Sequence, residues 1–237
     1  MRNSKFLVAL LAAGLLTAGC GSDDGSASGS ASGGSEKSGD AAAQGKALPV
    51  VVDGPQKDVL KSGDKGLKVT PAPARGASFT KQVEHRLRES VLLSTKVPGT
   101  TAADCPDGVT QKAGAVSTCT VTYEGAEIPY EVTISDSYRE GSFITSYTAE
   151  PGKGLLVAKV VYHQFNEQYG AASGRSDASK LSCDEIPAAK AYDFDTDSGY
   201  TCTFWSEYGG DGDGGYKTLR VTVGPAGYNA PGFEEVE

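Results

Sequence analysis

From Gly76 to Cys105 and from Gly154 to Cys183, one offset of 78 residues lays the chain over itself without a gap. Phe79, Val83, Leu87 and Val91 recur at every fourth position of the first segment, and Val157, Val161, Phe165 and Tyr169 do the same in the second. Apolar groups at that interval stay on one slowly drifting face, so each segment predicts an amphipathic helix that must bury one side. The second cysteines, Cys119 and Cys202, are 83 residues apart, which leaves five extra residues in the later copy. Beyond them "CTVTY" aligns with "CTFWS", and "YEVTI" (130–134) with "LRVTV" (219–223) at an offset of 89. The additional six residues of that offset fall in "GGDGDGG". Length differences confined to turns are what a tandem duplication leaves behind.

Strand patterns follow each cysteine pair. Cys119, Val121 and Tyr123 alternate with threonines, and Ile128, Tyr130, Val132 and Ile134 alternate with Glu127, Glu131 and Thr133. A period of two with one apolar face predicts a hairpin buried on one side, turning at Glu124-Gly125. "SFITSYT" (142–148) reads as a third strand. In the second copy Cys202 and Phe204 open one strand, and Leu219, Val221 and Val223 form its partner. The expected fold class is α+β: two tandem units, each one helix on a small antiparallel sheet with a disulfide loop.

The amino terminus places the chain. Arg2 and Lys5 precede an apolar run, Phe6 to Leu16, that is shorter than the ~20 residues a membrane span needs. The run ends in Thr17-Ala18-Gly19-Cys20, which resembles the bacterial lipobox, with Thr where Leu is commoner. Cleavage would make Cys20 the first residue and leave a diacylglycerol on its thiol. Residues 21–46 carry no large apolar side chain, so they should form a tether reaching on the order of 28 Å on average. The expected divisions are signal peptide 1–19, lipidated Cys20 and linker 20–77, first unit 78–152 and second unit 153–237. Within 47–77, "LPVVVD" reads as a short strand and "TPAPARG" as linker. Removing residues 1–19 leaves a formal charge of −10, which argues against nucleic acid as a partner. The expected location is the outer face of the cytoplasmic membrane.

With Cys20 lipidated, four cysteines remain, an even number in an exported chain. Gaps of thirteen and eighteen residues do not suit paired zinc ligands, and there is no C-x-x-C. Four cysteines allow three pairings; the duplication favours the local one, Cys105–Cys119 and Cys183–Cys202. Closing each loop contributes roughly 3 kcal/mol.

"CPDGV", Gly114 and "STCTVTY" together resemble a small domain of unknown function in exported proteins of high-GC Gram-positive bacteria. The likeness covers 79–150; over 157–223 it is weaker, since Asp184 stands where Pro follows the first cysteine. The resemblance implies an exported lipoprotein and no particular chemistry. Tandem helix-on-sheet units with one cysteine loop each are also similar in architecture to secreted beta-lactamase inhibitor proteins.

Candidate chemical sites are few. His85 and His163, again 78 apart, lie about 200° around the helix from the buried stripe and should face solvent. Asp193, Asp195 and Asp197 alternate like calcium ligands, but Ser198 and Phe204 stand where an EF-hand-type loop needs Gly and Glu. Ser62-Gly63-Asp64-Lys65 matches S-x-x-K without the companion motifs. No catalytic residue, metal site or cofactor is therefore expected. Twelve of the nineteen aromatic residues lie from Tyr162 onward, and Trp205, Tyr208 and Tyr216 flank the extended hairpin as the expected partner contact. The expected function is non-enzymatic binding of an envelope protein or glycan. An enzyme inhibitor or immunity factor, and a hydrolase with a site assembled across the units, are the alternatives.

Overall fold

The computed structural model describes residues 46–209, 213–227 and 230–236. The signal-like segment, Cys20 and the Gly/Ser tract through residue 45 lie outside the described residues. Within those described, two helices combine with antiparallel sheets and two disulfides.

Residues 47–77 form a strap with little regular structure: β1 (Val50–Val51) and one turn of 3-10 helix at Lys65–Leu67. It is not a free linker. Val52 is buried in the second core, Leu67 and Val69 in the first. The ordered body therefore begins well before residue 78.

The first half comprises α1 (Phe79–Thr95), β2 (Thr101–Asp104), β3 (Val116–Tyr123), β4 (Ala126–Ile134) and β5 (Tyr147–Pro151). Ser78 caps α1, its hydroxyl accepting the Lys81 N–H at 3.3 Å. Val83, Leu87 and Val91 sit on Cys119, Val121, Ile128, Tyr130 and Val132. The turn between β3 and β4 has φ of 47° at Glu124 and 85° at Gly125, the handedness that matches a twisted two-strand ribbon. The strand expected at 142–148 starts later. Tyr147 pairs with Ile134 and meets the Phe79 ring edge-on at 5.9 Å, so Tyr147 closes the core edge and Ser142–Ser146 is left as loop.

The second half comprises β6 (Gly154–Val157), α2 (Ala158–Tyr169), β7 (Ala178–Cys183), β8 (Ala189–Tyr192), β9 (Thr196–Ser206), β10 (Gly215–Val223) and β11 (Pro231–Glu235). Val161 and Phe165 are fully buried against Cys183, Cys202, Phe204, Leu219 and Val221.

The first sheet runs β2-β3-β4-β5 and the second β1-β7-β9-β10-β11. Setting β1 aside, strands of matching chain position occupy matching places. Cys119 pairs with Tyr130 in one sheet and Cys202 with Leu219 in the other. Each disulfide joins neighbouring strands: Cys183 and Cys202 are register partners, and Cys105 directly follows the Asp104–Thr120 pair. The strands β2 and β7, which carry the chain into each first cysteine, escape notice in sequence because "TAAD" and "ASK" have no apolar alternation.

One difference breaks the correspondence. β6 and β8 pair as a separate ribbon, and β8 lies within the longer second cysteine loop. Strand alternation splits its side chains: Leu155 and Val157 pack in the first core, Leu156 in the second. The ribbon thus ties the halves together. Gly154 is glycine because a Cβ would lie 2.4 Å from Val223, whereas its sequence counterpart Gly76 has open space and φ of +81°.

Candidate partner-contact surfaces

The three aromatics expected to form one contact surface separate into two environments. Trp205 and Tyr216 are direct cross-strand partners, their rings edge-on at 5.3 Å. Lys180 Nζ stands 4.9 Å from the Trp205 ring centre, and a Cβ on Gly214 would come within 2.9 Å of the indole. These contacts fix a half-buried platform on the face opposite Cys202 and Phe204. Tyr208 belongs to the turn after β9 and is 78 % exposed.

A second apolar feature went unanticipated. Phe143 is fully exposed and Ile144 is 78 % exposed, side by side in the loop between β4 and β5. Burying a large apolar side chain is worth roughly 1.5–3 kcal/mol, so two adjacent ones left in water on a rigid scaffold stand out. The pattern "SFITSYT" alternates as a strand does. The signal pointing the other way is Gly141-Ser142 before the pair and Thr145-Ser146 after it, small polar residues that bracket a loop.

The histidines are not on an open face. The strap crosses both helices and covers them. His85 Nε2 lies 3.0 Å from the Val69 carbonyl oxygen, and its Nδ1 is 3.7 Å from Glu89. His163 Nδ1 accepts the Gln56 N–H at 3.2 Å, and its Nε2 is 3.4 Å from Glu167. The helical angle does put both imidazoles on the face away from the core, and a segment with linker composition covers that face. Beneath the strap a cleft of about 680 Å³ lies between Val59–Ser62, the end of α1 at Ser94–Lys96, and Val160, His163, Gln164 and Glu167 of α2.

The acidic run has ordinary work. Asp193 pairs with Lys153 at 3.9 Å, and Asp197 accepts the Gly199 N–H at 2.8 Å. Among the described residues no group of three or more His, Cys, Asp or Glu stands close enough to hold a metal ion. In the S-x-x-K segment, Asp64 accepts the Lys61 N–H at 2.8 Å and the remainder turns into the 3-10 helix. Both cysteine pairs are disulfide-bonded in the local arrangement, with Cα separations of 4.2 Å and 3.9 Å.

The titration of the cores is set by burial. Loss of solvent pushes the Tyr130 phenol up to about 12, and burial also raises Tyr123 and Tyr147 beside the first core and Tyr162 and Tyr169 in the second half.

Residues 69–138 match the family described as a domain of unknown function (DUF4333). The match takes in the end of the strap from Val69, α1, β2, β3 and β4, and stops at Tyr138 before the Phe143–Ile144 loop. No curated protein and no solved structure matches the chain.

Proposed function

We propose that this chain is a lipid-anchored, non-enzymatic interaction protein on the outer face of the cytoplasmic membrane, built by tandem duplication of one helix-on-sheet unit. The observation that carries the binding reading is the Phe143–Ile144 pair, held in water on a loop between two paired strands. Tyr208, with the Trp205–Tyr216 platform, offers a second contact to an envelope protein or glycan. Anchoring rests on the lipobox-like "TAGC" ending at Cys20, since two acyl chains hold a protein at a bilayer without a spanning helix. The shared strand order and the matched Cys119–Tyr130 and Cys202–Leu219 registers support the duplication.

The test is photo-cross-linking in intact cells from a reactive residue placed at Ser146 or Tyr208. A discrete adduct is expected, reduced about tenfold or more when Phe143 and Ile144 are both changed to Ser, with the melting temperature unchanged. Equal capture by the doubly substituted protein removes this loop from the interaction. A projecting apolar loop also suits insertion into an enzyme cleft, so an adduct with a soluble hydrolase, together with inhibition of it, would favour the inhibitor reading.

A further inference from the structure

We propose that residues 53–57 of the strap form a latch at the edge of the interhelical cleft, closed by neutral His163 and released when that imidazole takes up a second proton. The Gln56 N–H donates to His163 Nδ1, so this nitrogen must be bare. The ring's one proton then sits on Nε2, facing Glu167 Oε1. A proton added at Nδ1 sets N–H against N–H and abolishes the bond. His85 responds differently. Its Nε2–H donates to the Val69 carbonyl, and a second proton on Nδ1 faces Glu89, so its hold on the strap survives protonation. One end of the strap is therefore acid-labile and the other is not.

The charged groups around His163 come from every wall of the cleft. Glu167 and Lys159 belong to its own helix, Asp58 (paired with Lys159) and Lys61 to the strap, and Lys96 to the end of α1; Ala230 carries no charge. Lys159 is paired with Asp58, and that hydrogen bond holds the Asp58 carboxyl below its usual range. Asp58 thus stays ionised through the range where an imidazole titrates, and the strap keeps this pair and the Leu60 N–H to Lys96 carbonyl bond at 2.7 Å. Release is local: the segment lifts at Gln56 while Val50–Val51, Asp58, Leu60 and Leu67 remain seated, which exposes His163 beside the cleft.

Hydrogen exchange on the full chain tests this. After correction for intrinsic rates, the Gln56 amide is expected to exchange about five- to tenfold faster at pH 5.5 than at pH 7.5, the loss of one hydrogen bond. His163→Asn should remove that ratio, and His85→Gln should keep it. Equal protection at both pH values in the unsubstituted chain, or a ratio that persists in His163→Asn, overturns the latch. If His163→Asn fails to fold, imidazole nitrogen shifts of the unsubstituted chain at pH 7.5 decide instead: a proton on Nδ1 of His163 contradicts it and a bare Nδ1 supports it.

Discussion

Glu84 on α1 and Tyr162 on α2 stand 78 positions apart, and each reaches the chain at its own first cysteine. Glu84 Oε1 accepts the Cys105 N–H at 3.4 Å, while its other oxygen holds Lys81 at 2.6 Å. Tyr162 donates its hydroxyl to the Asp184 carbonyl and accepts the Ile186 N–H, both at 3.0 Å. A carboxylate and a phenol thus do the same work at one helical position. The demand comes from the fold: a chain leaving a sheet beside a buried disulfide carries backbone groups that need partners. Which side chain supplies them is free. The same contrast recurs across the cysteines, where Tyr130 faces Cys119 but Leu219 faces Cys202.

Opening the disulfides probes this comparison most strongly. Replacing Cys105 and Cys119, or Cys183 and Cys202, by serine should cost about 3 kcal/mol each, slightly more for the second pair, whose separation is 19 residues against 14. Because the β6–β8 ribbon packs into both cores, calorimetry should still show one transition in either variant. Two resolved transitions would mean that the halves melt independently.

Alkaline titration separates the two cysteine-facing positions, Tyr130 and Leu219, next. The Tyr130 phenol, raised to about 12 by burial, binds its proton more tightly folded than unfolded, where it titrates near 10. Its stabilising share is whole below pH ~10 and is lost as pH rises toward 12. The loss is on the order of 2 kcal/mol, and Tyr130→Phe should flatten the curve of urea-unfolding stability against pH by that amount. Leu219 has no proton to lose, so Leu219→Phe should leave the shape of that curve as it is.

The two clamps should differ least in size and most in kind. Glu84→Gln and Tyr162→Phe are each expected to cost about 1 kcal/mol. Only the first cost should shrink between 0.05 and 1 M salt, since the Lys81 end of its ion pair is exposed. Equal salt dependence would show that the ion pair contributes nothing to the clamp.

Several features were legible from local pattern. The four-residue stripes located α1 and α2, the period of two located β3, β4 and β10, and even cysteine counting with the repeat gave the pairing that the structure holds. The misses share a cause. β2, β7 and the strap are stabilised by what they lie against, so their own residues need no periodicity. Phe143 and Ile144 show the reverse: a strand-like pattern left outside the sheet because Tyr147 takes the position at the core edge. Of the contact residues named from sequence, Tyr208 is exposed, while Trp205 and Tyr216 spend much of their surface on each other.

By itself, the amino-acid sequence determined the helices, the sheet hairpins and the cysteine partners, because each depends on side chains spaced by a few residues or on a repeat visible in one dimension. The tertiary structure alone decided that residues 47–77 clasp both helices through His85 and His163, that β6 and β8 join the two cores, and that one apolar pair stays in water. Those outcomes depend on which surfaces meet across a hundred residues of chain. Competition among alternative burial partners settles that, and no local spacing records it.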